Sequence, residues 1–256
     1  MCFSTSDRPP LPPIRGAALD TRDLTLHGRD GSPFAASAAR AAEPSGAGIV
    51  VIPDVRGLHP YYEDLARRFA EAGVHAVAID PYGRTAGPSK RDASFAYEPH
   101  VAQLDPEQVD GDVGAAVAFL RGADGGEPER IYTVGFCLGG RISLLQARGG
   151  HGLAGVIGCY AWPVGPHRSG LAAPADEASR FGCAVLNLYG GADQGIPADA
   201  RDAFDRALTA AGVPHRTVVY ESAPHSFFDR KAADFADASA DAWRQMLEFM
   251  EITLPA

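Results

Sequence analysis

The strongest constraint on this chain is a rhythm of short apolar runs separated by stretches of helical period. Gly48-Ile49-Val50-Val51-Ile52 is a continuous, mostly β-branched run. A strand that is apolar without alternation is one buried on both faces. Residues 61–72 follow with Leu65, Phe69 and Ala72 at helical spacing, and 74–79 is another short apolar run. The spacing next predicts a helix over 107–121, with Val109, Val113, Ala116, Val117 and Leu120 on one face. Strand 131–136, helix 138–147, strands 153–160 and 183–189, helix 198–211, strand 216–220 and a helix over about 232–250 complete the series. Ahead of it, 20–27 and 33–40 flank the turn signal Gly28-Arg29-Asp30-Gly31 and read as a hairpin. Strands alternating with helices predict an α/β fold with a mostly parallel central sheet and helices on both faces.

Two segments break the rhythm. Residues 80–106 are long and irregular, and 162–178 are rich in Pro and Gly. A loop as long as the first is commonly functional or an insertion in a compact domain. Residues 1–16 read as an extended proline-rich arm. Residues 17–256 show no internal repeat and no linker, so one domain is expected.

Composition narrows the function. With 23 Lys+Arg against 32 Asp+Glu the formal charge is −9. That excess argues against a nucleic-acid partner, which needs a basic stripe, and against charge-driven membrane binding. The four cysteines are Cys2, Cys137, Cys159 and Cys183. None forms a CxxC pair, and no His stands at metal-site spacing from them, so no metal and no disulfide scaffold is expected. The first residues lack the apolar core of a signal peptide, and no apolar run approaches the roughly 18 residues of a spanning helix. A cytoplasmic protein with reduced thiols is expected. Cys159 and Cys183 fall inside strands and read as small buried hydrophobes, whereas Cys2 reads as exposed.

In sheets of this kind, sites gather beyond the carboxyl ends of the strands. Three strand ends carry reactive residues. Gly135-Phe136-Cys137-Leu138-Gly139-Gly140 is a strand, a G-x-C-x-G turn and a helix start, the nucleophile-elbow pattern with Cys for Ser. Glycines two positions either side of Cys137 allow strand and helix to close on a strained turn. A helix N-terminus there favours a thiolate. Taken alone, Cys137 also fits a buried structural cysteine. Leu188-Tyr189-Gly190-Gly191-Ala192-Asp193 ends another strand, and Asp193 alone fits a turn or cap aspartate. Ser222-Ala223-Pro224-His225 follows the last strand, and His225 alone fits an ordinary loop histidine. Together the three stand in the order nucleophile, acid, histidine, each after a late strand. That order belongs to the α/β-hydrolase fold.

The chain resembles the dienelactone hydrolase family over nearly its whole length. The residues that carry the resemblance are Gly135-Phe136-Cys137-Leu138-Gly139-Gly140, Gly191-Ala192-Asp193-Gln194-Gly195-Ile196-Pro197, His225-Ser226-Phe227, Asp54-Val55-Arg56-Gly57-Leu58 and Asp80-Pro81-Tyr82. The resemblance implies a Cys137-His225-Asp193 triad and hydrolysis of a small ester or lactone through a thioester. It also implies an oxyanion hole from the N–H groups of Leu138 and Val55. In the family a glutamate after the early strand engages the resting thiol. Asp54 stands at that position, one methylene shorter, and fits either that role or a loop-capping carboxylate. In the dienelactone enzyme an arginine four residues after the catalytic histidine helps bind the substrate carboxylate. Here that position is Asp229, with Arg230 one later, so the dienelactone substrate does not carry over with the fold.

Candidate substrate-binding residues are Arg56, Arg84, Arg91, Tyr160 and Trp162. Each arginine also fits a solvated surface charge, and the aromatics also fit core packing. No cofactor is expected. The expected partner is a small-molecule ester or lactone, and a homodimer is left open. Two other readings use the same thiol: a redox or ligand-binding module without turnover, and a cysteine peptidase. An open groove over residues 80–106 favours the peptidase, and a closed lid favours small molecules.

Overall fold

Central strands whose successive side chains enter two buried faces set the architecture. In β3 of the computed structural model (Ala47–Ile52), Ile49 and Val51 pack into one apolar cluster while Val50 and Ile52 pack into another on the opposite face. The structure describes residue 9 and residues 20–228 and 231–252. The arm predicted over 1–16, Cys2, Asp229 and Arg230 therefore lie outside the described residues, Pro9 excepted.

Among the described residues, eight strands form one sheet in the order β1-β2-β4-β3-β5-β6-β7-β8. The strands are β1 (Asp20–His27), β2 (Pro33–Arg40), β3, β4 (His75–Ile79), β5 (Arg130–Phe136), β6 (Gly155–Cys159), β7 (Ala184–Gly190) and β8 (His215–Tyr220). β1 and β2 form the expected hairpin, and β2 joins β4 antiparallel. Every other pairing, from β4 across to β8, is parallel.

The helices in chain order are α1 (Pro60–Glu71), α2 (Gly83–Ala86), α3 (Glu98–Val101), α4 (Pro106–Arg121), α5 (Leu138–Leu145), α6 (Pro174–Glu177), α7 (Ala198–Ala210) and α8 (Ala236–Phe249). On one face, Leu65 and Phe69 of α1 and Trp243 and Met246 of α8 share the cluster with Ile49 and Val51. The Phe69 and Trp243 rings meet at 4.8 Å. On the other face, Val113 and Val117 of α4 and Ile142 of α5 cover Val50 and Ile52. Phe204 and Leu208 of α7 cover Val156 and Val185.

Local chemistry explains the boundaries. The carboxylate of Asp105 accepts the N–H groups of Glu107 (2.9 Å) and Gln108 (3.0 Å), which caps α4 ahead of its first-turn proline. The sixth strand ends at Cys159, short of the expected Tyr160, because Tyr160 has φ 39° and cannot extend it. The last helix starts at Ala236, since the N–H groups of Asp234 and Phe235 close turns onto Lys231 O. Cys183 lies just ahead of β7 and is half-buried, so it is not the strand-interior residue expected. Burial still pushes its thiol up to about 11. Both long segments contain short helices: α2 and α3 in the first, α6 in the second.

Candidate active site

The register of the sheet gathers the reactive loops at one edge. Ile52 is level with Gly135, Phe136 with Cys159, Cys159 with Leu188, and Gly190 with Tyr220. The loops that leave these strand ends carry Asp54, Cys137, Tyr160, Asp193 and His225.

Cys137 is the residue between β5 and α5, with φ 55° and ψ −113°. A non-glycine residue in that region stores strain and persists only where its surroundings enforce it. The enforcement is visible in the flanking glycines. A Cβ on Gly135 would stand 1.9 Å from Gly139 O, and one on Gly139 would stand 2.1 Å from Pro53 O. The first turn of α5 therefore lies directly on the end of β5 and on the loop after β3. The Cys137 N–H donates to Cys159 O at 3.0 Å. The residue is partly exposed, and the positive end of α5 favours an anion beside it.

His225 and Asp193 meet across adjacent loops. His225 Nδ1 lies 2.6 Å from Asp193 Oδ2. An ionised carboxylate only accepts, so Nδ1 carries the proton and Nε2 is left as the base. The second oxygen, Asp193 Oδ1, accepts the Gly195 N–H at 2.9 Å. The Asp193 side chain is 3% exposed and that of His225 34%. The Ala192 N–H bonds to Ala223 O (3.0 Å) and joins the two loops directly. The Tyr160 ring meets the His225 imidazole edge-on, with centroids 5.0 Å apart. The histidine loop is anchored from behind by Ser239 Oγ, which donates to Phe227 O (3.1 Å), and by the Tyr61 hydroxyl, which donates to Phe228 O (3.0 Å).

A cavity of about 120 Å³ opens between these loops. Of the residues expected from sequence, it brings together Cys137, His225, Leu138, Tyr160 and Trp162 on its wall. Asp193 stands behind His225. Leu138 and Val55 are both buried, Leu138 at the start of α5 and Val55 on the loop after β3. Asp54 is buried on the same loop. Its N–H donates to the Tyr62 hydroxyl (3.0 Å), and its Oδ1 accepts the Arg56 N–H (2.9 Å), so the carboxylate also braces its own turn. Arg56 is partly buried beside it and is not on the cavity wall.

Two expected substrate arginines are spoken for elsewhere. Arg84 binds Asp30 through Nε and Nη2 (2.8 and 2.7 Å) and Asp112 through Nη1 and Nη2 (2.5 and 2.9 Å). It lines a separate surface depression with Arg29, Asp105 and Glu107. Arg91 is buried against Asp80, with Nη2 2.7 Å from Oδ2 and its guanidinium over the Phe95 ring. A guanidinium out of water requires such partners, and periodicity along the sequence does not disclose them.

Sequence reasoning missed two polar residues of the cavity wall, Arg141 and His167. Arg141 sits one helical turn after Cys137 on α5, and that i, i+4 spacing is the signal that could have found it. Its guanidinium donates to the carbonyls of Ala172 (2.9 Å), Trp162 (3.2 Å), Gly165 (2.7 Å) and Leu171 (3.0 Å). It thereby ties the Pro/Gly-rich segment down beside the cavity. Burial lowers its pKa to about 10. His167 accepts the Ser169 N–H on Nδ1 (3.2 Å), which leaves the ring proton on Nε2. Burial, then the positive charges of Arg141 and Arg168, lower its pKa. Ile196 and Gly195 complete the lining.

Among the described residues, no group of three or more His, Cys, Asp or Glu side chains is placed to hold a metal ion, and no helix is long and apolar enough to cross a membrane.

Residues 34–254 match the model of the dienelactone hydrolase family. A Methylorubrum extorquens protein provisionally assigned as a carboxymethylenebutenolidase is 33% identical over 204 residues, which covers 78% of this chain and 70% of the relative. The carboxymethylenebutenolidase of Rhodococcus opacus is 29% identical over 260 residues, covering 98% and 96%. A crystal structure from Klebsiella pneumoniae, provisionally assigned as a dienelactone hydrolase, superposes with a TM-score of 0.79 at 29% identity and covers 91% of this chain and 98% of that one.

Proposed function

Because this chain belongs to the dienelactone hydrolase family, we propose that it hydrolyses small esters or lactones through a thioester on Cys137. The observation that carries the reading is a carboxylate-oriented imidazole, His225 on Asp193, sharing one cavity with a strained cysteine at a helix N-terminus.

His225 Nε2 takes the Cys137 proton, and the thiolate attacks the carbonyl carbon. The oxyanion is received by the N–H groups of Leu138 and Val55, each worth about 3 kcal/mol in comparable sites. The imidazolium returns its proton to the leaving alkoxide, and a thioester remains. His225 then activates water, and collapse of the second tetrahedral species releases the acid and restores the thiol. Asp193 keeps the proton on Nδ1 and stabilises the imidazolium. Asp54 occupies the position from which the family's glutamate engages the resting thiol, and we assign it that role here. Tyr160 and Trp162 shape the apolar side of the substrate site.

The cavity volume favours small acyl groups, because about 120 Å³ is below the roughly 300–1,000 Å³ of drug-sized pockets. None of residues 80–106 lines the cavity, so a peptide groove over that segment has no support. Turnover of p-nitrophenyl esters, lactones and enol-lactones by wild type and Cys137→Ala tests the proposal. Equal activity in both proteins overturns it.

A further inference from the structure

The loop that carries Val55 is held by directional bonds to a buried group of three residues, Asp80, Arg91 and Tyr82. Asp80, fully buried at the end of β4, accepts four N–H donors. Its Oδ1 takes the Leu58 N–H (3.0 Å) and Arg91 Nε (3.2 Å), and its Oδ2 takes the Tyr82 N–H (3.0 Å) and Arg91 Nη2 (2.7 Å). Arg91 adds its own backbone N–H to Leu58 O at 2.6 Å. Its guanidinium also reaches Ala86 O (3.0 Å) and Gly87 O (2.7 Å). Tyr82, placed by Asp80, donates its hydroxyl to Val55 O at 2.8 Å. The turn rests on this group without a gap. A Cβ on Gly57, at φ +74°, would stand 2.4 Å from Asp80 Oδ1 and 2.9 Å from Arg91 Cγ.

We propose that Asp80, Arg91 and Tyr82 are positioning residues that aim the Val55 N–H as an oxyanion donor, an inference that rests on the hydrolase reading above. The two peptide groups on either side of the Val55 Cα are clamped separately. The first has its carbonyl, Asp54 O, bonded to the Gly57 N–H at 3.1 Å. In a trans peptide, N–H and C=O point opposite ways, so this bond turns the Val55 N–H outward from the turn. The second has its carbonyl, Val55 O, on the Tyr82 hydroxyl and its N–H on Asp54 Oδ1. With both planes fixed, the Val55 dihedrals are fixed too. The contact of Gly139 with Pro53 O keeps this loop against the start of α5, where the second donor, Leu138, lies. A buried ion pair is weak evidence for stability, because an apolar substitute is often as stable. Its bonds are directional, however, and an oxyanion donor must be aimed before the charge develops.

Tyr82→Phe removes one hydroxyl and keeps the ring. The two measurements are kcat for p-nitrophenyl acetate and the rate at which iodoacetamide alkylates Cys137. Alkylation displaces iodide at a saturated carbon and develops no oxyanion, so it reports the thiolate alone. The expected result is a kcat lower by roughly 10–100-fold, less than the ~10²–10³-fold of losing a donor outright. KM stays within about twofold, and the alkylation rate does not change. Asp80→Asn, which keeps an acceptor for Leu58 but loses the ionic partner of Arg91, shifts the ratio of kcat to alkylation the same way. If Tyr82→Phe keeps wild-type kcat, or if kcat and alkylation fall together with Tm, the positioning role is overturned. A wild-type protein without esterase or lactonase activity overturns the hydrolase reading itself and is seen before any variant is made.

Discussion

His225 Nδ1 and Asp193 Oδ2 stand 2.6 Å apart although their loops are separated by 32 residues of sequence. The carboxylate is buried and the imidazole faces the cavity, so the pair is oriented from the protein side and open on the cavity side. Asp193→Asn should therefore leave the fold intact and lower kcat by at least about 10²-fold, because an amide cannot hold the same tautomer as firmly. His225→Ala should in addition abolish the pH dependence of kcat/KM set by the cysteine–histidine pair. A profile unaltered by His225→Ala would contradict the assignment.

Gly135→Ala tests the backbone at the elbow. The added methyl meets Gly139 O at 1.9 Å, a backbone atom that cannot swing away. The expected loss of stability exceeds the roughly 1–3 kcal/mol of ordinary overpacking. Urea denaturation measures it, and a midpoint equal to wild type would show that the first turn of α5 can shift.

Arg141→Met tests the tie over the cavity. It removes the guanidinium's bonds to Trp162, Gly165, Leu171 and Ala172 carbonyls. Each carbonyl left unpaired out of water costs about 1–3 kcal/mol. The segment 162–172 should become the first site cut by limited proteolysis. KM should rise more than kcat falls, since the residue shapes the cavity without touching the reacting atoms. Unchanged proteolysis and KM together would refute this.

His59 gives a prediction on pH. It is buried against Tyr61 and Tyr62, with ring centroids 6.3 and 5.0 Å away. Burial, then the charge of Arg56, lowers its pKa from 6.5 to about 3. The folded protein thus binds a proton at His59 less readily than the unfolded chain does. Stability from this residue is complete above 6.5 and is lost as pH falls from there towards 3, by about 1.4 kcal/mol per pH unit. His59→Gln should remove that slope. Between pH 7 and pH 5 the stability of wild type should drop by about 2 kcal/mol more than that of the variant. Parallel pH profiles in urea denaturation would count against it.

The apolar run of β3 and the elbow glycines were readable because each is a local pattern, and Cys137, Asp193 and His225 were picked out by their order along the chain, each after a late strand. Strand burial and turn strain are set by neighbours in sequence, and chain order is read directly from it. Boundaries were less exact where a backbone angle decided them, as at Tyr160. The arginines were the hardest to place. Arg84 and Arg91 occupy an arginine-rich loop beside the site in sequence, yet Asp30 and Asp112 claim one and Asp80 the other. Arg141, which the sequence reading did not single out, lies on the cavity wall.

Sequence alone determined the α/β class, the hairpin and the strand–turn–helix at Cys137, because hydrophobic period and glycine spacing act over a few residues, and chain order singled out the three candidates, Cys137, Asp193 and His225. Tertiary structure alone decided which charged side chains reach the cavity and which are consumed in holding it. A charge takes the partners that compensate its desolvation, and those partners are chosen by distance in space.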